Sequence, residues 1–292
     1  MEQIYLKIPV IKNNVFLIFI VMIKMSKIIR EIEVGGLPSE KLLDWFLKRV
    51  NHTFVFFDTE TTGLDRNPAG RPANQLTQIA AIATQINGET LRFFELGRFN
   101  IGIKLNDETL QQMTTEPDAP EDEESDEYKR WLFNTKKGIL KFNHYDLANS
   151  ESYEEERNAL EKFDEFLKEH ENVTLIAHNA PFDLKWIQFH EIFKDSTDEM
   201  IDSINFFKNF FFPILNTISK DNPDYQAKLD KFPGKEGGAK SNALKSLATG
   251  FDDEINQLKK KLQGAHNAVV DCEITMEIFE RGLLTVYRYL ND

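Results

Sequence analysis

An α/β fold with a mixed sheet is predicted by three observations. Three strand-like runs come first. A long amphipathic helix then leads straight into a fourth apolar run. A further helix closes the chain. Ahead of the first strand, Leu42, Leu43, Phe46, Leu47 and Val50 share one face of a short helix over Ser39–Val50, with Ser39 as its cap. Thr53 to Phe57 is β-branched and aromatic and reads as a buried strand. Asn67-Pro68-Ala69-Gly70-Arg71-Pro72 is a loop, and Leu76–Ile86 and Leu91–Ile103 complete a β-meander. Residues 114–128 are dominated by acid and read as a disordered insertion. Ser152–Glu171 is helical, with Leu160, Phe163, Phe166 and Leu167 facing inward, and it feeds the strand Val173–Ala177. Ile201–Phe212 is rich in phenylalanine, and Phe211–Leu215 is taken as the fifth strand. Phe232–Gly238 is a loop, and helices follow at Asn242–Ala248 and Asn267–Leu290.

The 292 residues suffice for one large domain or two small ones, and 41% hydrophobic with 28% charged residues is ordinary for a soluble globular protein. A single cysteine, Cys272, excludes an intramolecular disulfide and a cysteine-based zinc cluster, and it reads as packed core. The net charge of −13 argues against a broad basic groove, although much of the acid is concentrated in Glu116–Glu127. Residues 1–24 stand apart: Val15–Ile23 is wholly apolar between Lys12 and Lys24, shorter than the roughly 20 residues that span a bilayer. The expected organisation is an N-terminal extension over 1–24, a short helical segment over 25–49 and one domain over 50–292 carrying the acidic insertion. No stable membrane association is expected, and a reducing, cytoplasmic setting fits the cysteine usage.

Chemistry concentrates at three element ends. Asp58-Thr59-Glu60-Thr61-Thr62-Gly63-Leu64 ends the first strand. Side chains two residues apart on a strand share a face, so Asp58 and Glu60 converge if the extended geometry continues through Thr59. Adjacent carboxylates repel and raise each other's pKa, and a hard divalent cation is the obvious group to sit between them. Gly63 permits a tight turn after the pair. His178-Asn179-Ala180-Pro181-Phe182-Asp183 follows the fourth strand, and Pro181 suits the first turn of a helix that would carry Asp183. Gly264-Ala265-His266 and Asp271 mark the start of the closing helix.

These motifs together resemble the DEDDh, or DnaQ-like, family of 3′–5′ exonucleases, over about residues 50 to 290. The resemblance implies a ribonuclease-H-like fold with helices on both faces of the sheet. It implies phosphodiester hydrolysis from 3′ ends, with release of nucleoside 5′-monophosphates and two Mg²⁺ ions that Mn²⁺ would replace. By the same resemblance Asp58 bridges both ions, Glu60 and Asp271 hold the first, Asp183 supports the second, and His266 is the general base. Thr61, Leu64 and Asn179 match positions that contact substrate. The family often has an Asp-Thr pair where this chain has Asn216-Thr217. DNA 3′ ends are the leading substrate and RNA the alternative; proofreading would require a separate DNA polymerase. A non-catalytic nucleic-acid-binding module is the reading from another class. Taken singly, Asp58 is an ordinary turn residue and Asp183 an ordinary first-turn acid; their joint order is what argues for a site. His178 reads as a strand-end hydrogen-bonding residue, and His52, His144, His170 and His190 have no motif context.

A chain beginning at Met25 is expected to stay soluble and to keep the full activity of the longer one. Carbonate-resistant sedimentation of the full chain with membranes, lost on truncation, would make residues 1–24 an anchor instead.

Overall fold

In the computed structural model, which describes residues 49, 51–66, 73–87, 90–188, 200–234, 243–251 and 257–291, the apolar run at Thr53 continues unbroken into the acidic motif. The result is one strand, β1 (Thr53–Thr61), with β2 (Leu76–Ile86) and β3 (Phe93–Gly102) following as an antiparallel meander. The extension 1–24, the loop 67–72, residues 235–238 of the Phe232 loop and, Arg49 apart, the helix expected over Ser39–Val50 lie outside the described residues. Strand β3 starts later than expected because Leu91 adopts a left-handed turn conformation (φ 55°). It ends one residue earlier, at Gly102: Ile103 bridges Glu154 while its N–H still donates to Thr77 O at 2.8 Å. Opposite Ala83 and Thr84, β3 carries one extra residue, Leu96, which forms a bulge between Glu95 and Gly97. Strands β4 (Val173–Ala177) and β5 (Met200–Asp202) add in parallel on the other side of β1. The mixed sheet therefore runs β3-β2-β1-β4-β5.

The acidic insertion is ordered, which corrects the disorder expected for residues 114–128. Helices α1 (Asp107–Thr115), α2 (Asp126–Asn134) and α3 (Lys136–Phe142) are each capped by a side chain, from Asn106, Ser125 and Thr135 respectively. The acid has local partners: the Glu116 carboxylate accepts the N–H groups of Lys136 (2.8 Å) and Lys137 (3.0 Å). Asp126 and Glu127 occupy the first turn of α2, where the helix dipole favours negative charge. The Trp131 indole donates to Pro117 O at 3.0 Å and closes the intervening loop.

Helix α4 (Glu156–Lys168) begins four residues after Ser152, which instead ends a 3₁₀ turn (Leu147–Ser152). Helix α5 (Ala180–Ile187) starts directly after β4, with Pro181 in its first turn. The phenylalanine run is helical, a second correction: Phe211–Leu215 is not a strand. Short α6 (Ser203–Phe206) passes through a π turn (Phe207–Phe211) into α7 (Phe212–Ser219). Phe206, Phe207, Phe210 and Phe211 recur at helical spacing and are all buried, Phe206 stacking on Phe279 at 4.2 Å. A short apolar run reads equally as strand or buried helix until such partners are known. Helices α8 (Pro223–Asp230), α9 (Leu244–Phe251), α10 (Gln257–Lys261) and α11 (Ala268–Asn291) complete the chain. Among the described residues no helix is long and apolar enough to cross a membrane.

Two cores cover the two faces of the sheet. Phe54 and Phe56 pack with Ile176, Phe207 and Phe279 on the side of α11. Val55 and Phe57 pack with Phe163, Leu175 and Trp186 on the side of α4 and α5. Each such buried side chain contributes about 1.5–3 kcal/mol. Against β2, small Ala80 lets Ala268 and Cys272 of α11 approach closely; Cys272 is buried core, as expected.

Gly138 makes the α2–α3 corner possible. A Cβ there would lie 2.4 Å from Trp131 O and 2.6 Å from Leu132 Cα. Gly138→Ala is expected to push the two helices apart and cost about 1–3 kcal/mol, as overpacking does. A melting temperature equal to that of the unmodified protein would show that the corner relaxes freely.

Candidate active site

The alternation of β1 builds the site. Asp58 and Glu60 continue the face of Phe54 and Phe56, toward α11, where Asp271 lies in the first turn. Asp58 pairs with Ala80, the small residue over which α11 starts. One carboxylate oxygen each from Asp58, Glu60 and Asp271 lies within 4.8 Å of the others. Asp271 Oδ2 accepts the His266 N–H at 3.1 Å, whereas its Oδ1 is buried without a hydrogen-bond partner. A hard oxygen-donor set holding one orphaned carboxylate oxygen fits a divalent cation of the Mg²⁺ or Mn²⁺ kind.

Asp183 is placed differently. Thr59 points to the opposite face, toward α5, and Asp183 Oδ1 accepts both its backbone N–H (2.9 Å) and its hydroxyl (2.7 Å). Asp183 is therefore wired to the residue between the two motif carboxylates rather than into their cluster. Its charge still reaches them. Burial, then Asp183, Glu60 and Asp271, holds Asp58 well above the usual carboxylate range. Burial, then Asp271 and Asp183, does the same to Glu60. Asp183 itself is pushed up to about 7 by burial, against the hydrogen bonds from Thr59. Asp271 is pushed up to about 6, again by burial, with the His266 N–H opposing.

His266 adopts a left-handed backbone (φ 66°) just before α11, its ring exposed to solvent on one side and laid on Phe142 on the other (centroids 3.9 Å apart). Partial burial, then His144 and Lys245, lowers its pKa, a sign that the sequence left open. Among the expected substrate contacts, Leu64 is 77% exposed beside the carboxylates' strand end. The Thr61 hydroxyl is buried and donates to Gly63 O at 2.8 Å, shaping the turn. Asn179 has φ 69° and an exposed side chain, while its N–H donates to Asp202 Oδ1 at 3.1 Å. His178 Nδ1 lies 2.8 Å from Ser203 Oγ, a local strand-end contact.

Sequence reasoning missed the residues that the insertion delivers. Lys136 is nearly buried, its pKa lowered by burial, and its ammonium donates to Asn74 Oδ1 (2.9 Å) and Ala73 O (3.0 Å). Asn143 Nδ2 donates to Thr61 O at 3.0 Å. Lys185 of α5 donates to Leu64 O and fixes the exposed leucine's loop. None of these carries a sequence signature; the one available signal was the three capping residues that mark the insertion as helical.

No family model matches the sequence, and no curated protein matches it. Solved structures do resemble it. Two are E. coli exonuclease I in complex with oligonucleotides, one a dT13 and the other a dA16. The first is 15% identical with a TM-score of 0.50, covering 79% of this chain and 40% of that one. The second is 14% identical with a TM-score of 0.50, covering 82% and 42% respectively. The chain thus spans less than half the length of the structures it resembles, and at that identity the likeness is one of fold. The chain has the ribonuclease-H-like α/β fold expected from its motifs.

The raised carboxyl pKa values set the pH dependence of stability. Each folded carboxyl holds its proton more tightly than the unfolded chain, whose carboxyls titrate near about 4. That contribution is full below pH 4 and is lost as pH rises through about 6 for Asp271 and about 7 for Asp183. In EDTA the melting temperature is expected to fall by several degrees from pH 5 to 8. Mn²⁺ should remove most of the fall. Asp183→Asn, which keeps an acceptor for Thr59, should make it shallower. Equal slopes for variant and unmodified protein in EDTA would refute the assignment.

Proposed function

We propose that the chain is a metal-dependent 3′–5′ exonuclease that shortens single-stranded or frayed DNA ends and releases nucleoside 5′-monophosphates. The observation that carries this reading is the convergence of Asp58, Glu60 and Asp271 at the end of β1, with Asp183 fastened to Thr59 between them. Asp58, Glu60 and Asp271 would hold Mg²⁺, with Mn²⁺ as a substitute, and Asp183 would serve a second ion. Held there, two such ions would supply activation of the attacking water and charge stabilisation for the departing 3′-oxygen. Burial lowers the His266 pKa, which favours the neutral imidazole that a general base for that water needs. The Asp271 carboxylate holds the His266 backbone, which keeps base and cation site in register. Leu64, exposed at the strand end, offers an apolar surface to the terminal base, and Asn179 a polar contact to the strand; Thr61 shapes the turn that presents Leu64.

RNA trimming is the alternative within this chemistry, since discrimination rests on the space around the 2′ position. As a proofreading activity the chain would act beside a separate DNA polymerase. The exonuclease I complexes with oligonucleotides support a nucleic-acid ligand through a shared fold.

The test is degradation of 3′- and 5′-labelled DNA and RNA oligonucleotides with Mg²⁺, Mn²⁺ or EDTA. Stepwise loss from the 3′ end, abolished by EDTA and by Asp58→Ala, is expected. His266→Ala should lose about 10²–10⁴ in kcat, the usual share of a general base, while still binding Mn²⁺. Undiminished activity in EDTA, or cutting of circular single strands, would overturn the reading.

A further inference from the structure

Helix α2 has the sequence Asp126-Glu127-Tyr128-Lys129-Arg130-Trp131-Leu132-Phe133-Asn134 and buries Tyr128 and Trp131. The helical repeat then carries Lys129, Arg130 and Phe133 round to another side, where residues three and four apart are neighbours. Phe133 is 56% exposed, an unusual position for a phenylalanine on a helix whose other aromatic residues are buried. It is held edge-on against Phe142 at 4.9 Å, and Phe142 in turn lies on the ring of His266 at 3.9 Å. A line of contacts through three rings thus links Phe133 to His266, whose backbone is tied to Asp271.

The line ends at a surface cavity of about 490 Å³ lined by Asp126, Lys129, Arg130, Phe133 and Asn134. Lys129 is 4.0 Å from Asp126, with both side chains more than half exposed, a pairing too loose to hold either. The corner that carries these groups is fixed to the carboxylate strand by the Asn143–Thr61 hydrogen bond, and Lys136 ties it to Asn74 in the turn before β2. Two cations and an exposed ring, next to the proposed cleavage site of a chain of net charge −13, mark a local place for a polyanion with flat faces.

We infer that Phe133 and Phe142, flanked by Lys129 and Arg130, form a stacking platform for bases of a single polynucleotide strand entering the catalytic cluster. Every base presents a π face, so an aromatic ring takes any sequence, and the neighbouring cations meet the phosphates. A duplex hides those faces, so the platform selects single strands. The direction of the strand rests on the exonuclease reading; the platform itself does not.

The experiment uses the full chain with Ca²⁺ and a fluorescein-labelled single-stranded oligothymidylate, read by anisotropy, and then the same strand with Mg²⁺. Phe133→Ala should weaken binding about ten-fold, Phe133→Tyr should stay within about two-fold, and a blunt duplex should compete poorly. Both variants should melt with the unmodified protein, since the ring is largely outside the core. The proposal is overturned if Phe133→Ala binds like the unmodified chain, if Phe133→Tyr is as weak as Phe133→Ala, or if the unmodified chain binds no single strand. A strand that binds with this Phe133 dependence but is never shortened supports the platform and sinks the exonuclease reading. Equal shortening and equal binding by Phe133→Ala sinks the platform and leaves the exonuclease standing.

Discussion

Strand β1 is buried on both faces, and its two-residue repeat decides what each face receives. Phe54, Phe56, Asp58 and Glu60 turn toward α11; Val55, Phe57 and Thr59 turn toward α4 and α5. The apolar members clamp the strand between two cores, so its C-terminal end has no freedom to relieve the repulsion it carries. Everything else at the site follows from that parity. Asp271 meets Asp58 and Glu60 because α11 starts over Ala80 on their face. Asp183, on the other face, reaches the site through Thr59.

Four carboxyl groups gathered in so little water are costly, and among the described residues no lysine or arginine is hydrogen-bonded or ion-paired to them. The raised pKa values of Asp58, Glu60, Asp183 and Asp271 all have burial as their first cause. Two donors soften it, the Thr59 pair on Asp183 and the His266 N–H on Asp271. The buried ammonium of Lys136 serves the neighbouring turn through Asn74 and Ala73.

What the sequence made legible was governed by local pattern. β1, β2 and β4, and the motif positions after β1 and β4, follow from apolar β-branched runs, alternation and turn chemistry, and α11 was placed as the closing helix that carries Asp271. Two segments were misjudged for physical reasons. The phenylalanine run fits strand and buried helix alike, and only its packing on Phe279 and Phe232 decides between them. The acidic segment has a disordered composition, yet Ser125, Thr135 and Glu116 supply helix caps and anchors that net charge does not reveal. The same limit hid Lys136, Asn143 and Phe142: their relation to the site exists only once α3 is folded against β1. The opposite placements of Asp271 and Asp183 were implicit in the strand's parity, but which helix lies on which face was not.

The bulge at Leu96 bears on how this molecule behaves in company. Among the described residues β3 is an edge strand of the sheet, ten residues long, with Phe94 and Leu96 exposed. A flat margin of that length would invite another chain to extend the ladder, the first step toward aggregation. The additional residue breaks the regular spacing of outward N–H and C=O groups at mid-strand, and the charged Glu95–Arg98 pair flanks the break. An incoming strand could match either half but not both. The irregularity that interrupts the meander's pairing thus disfavours extension of the sheet by a second copy.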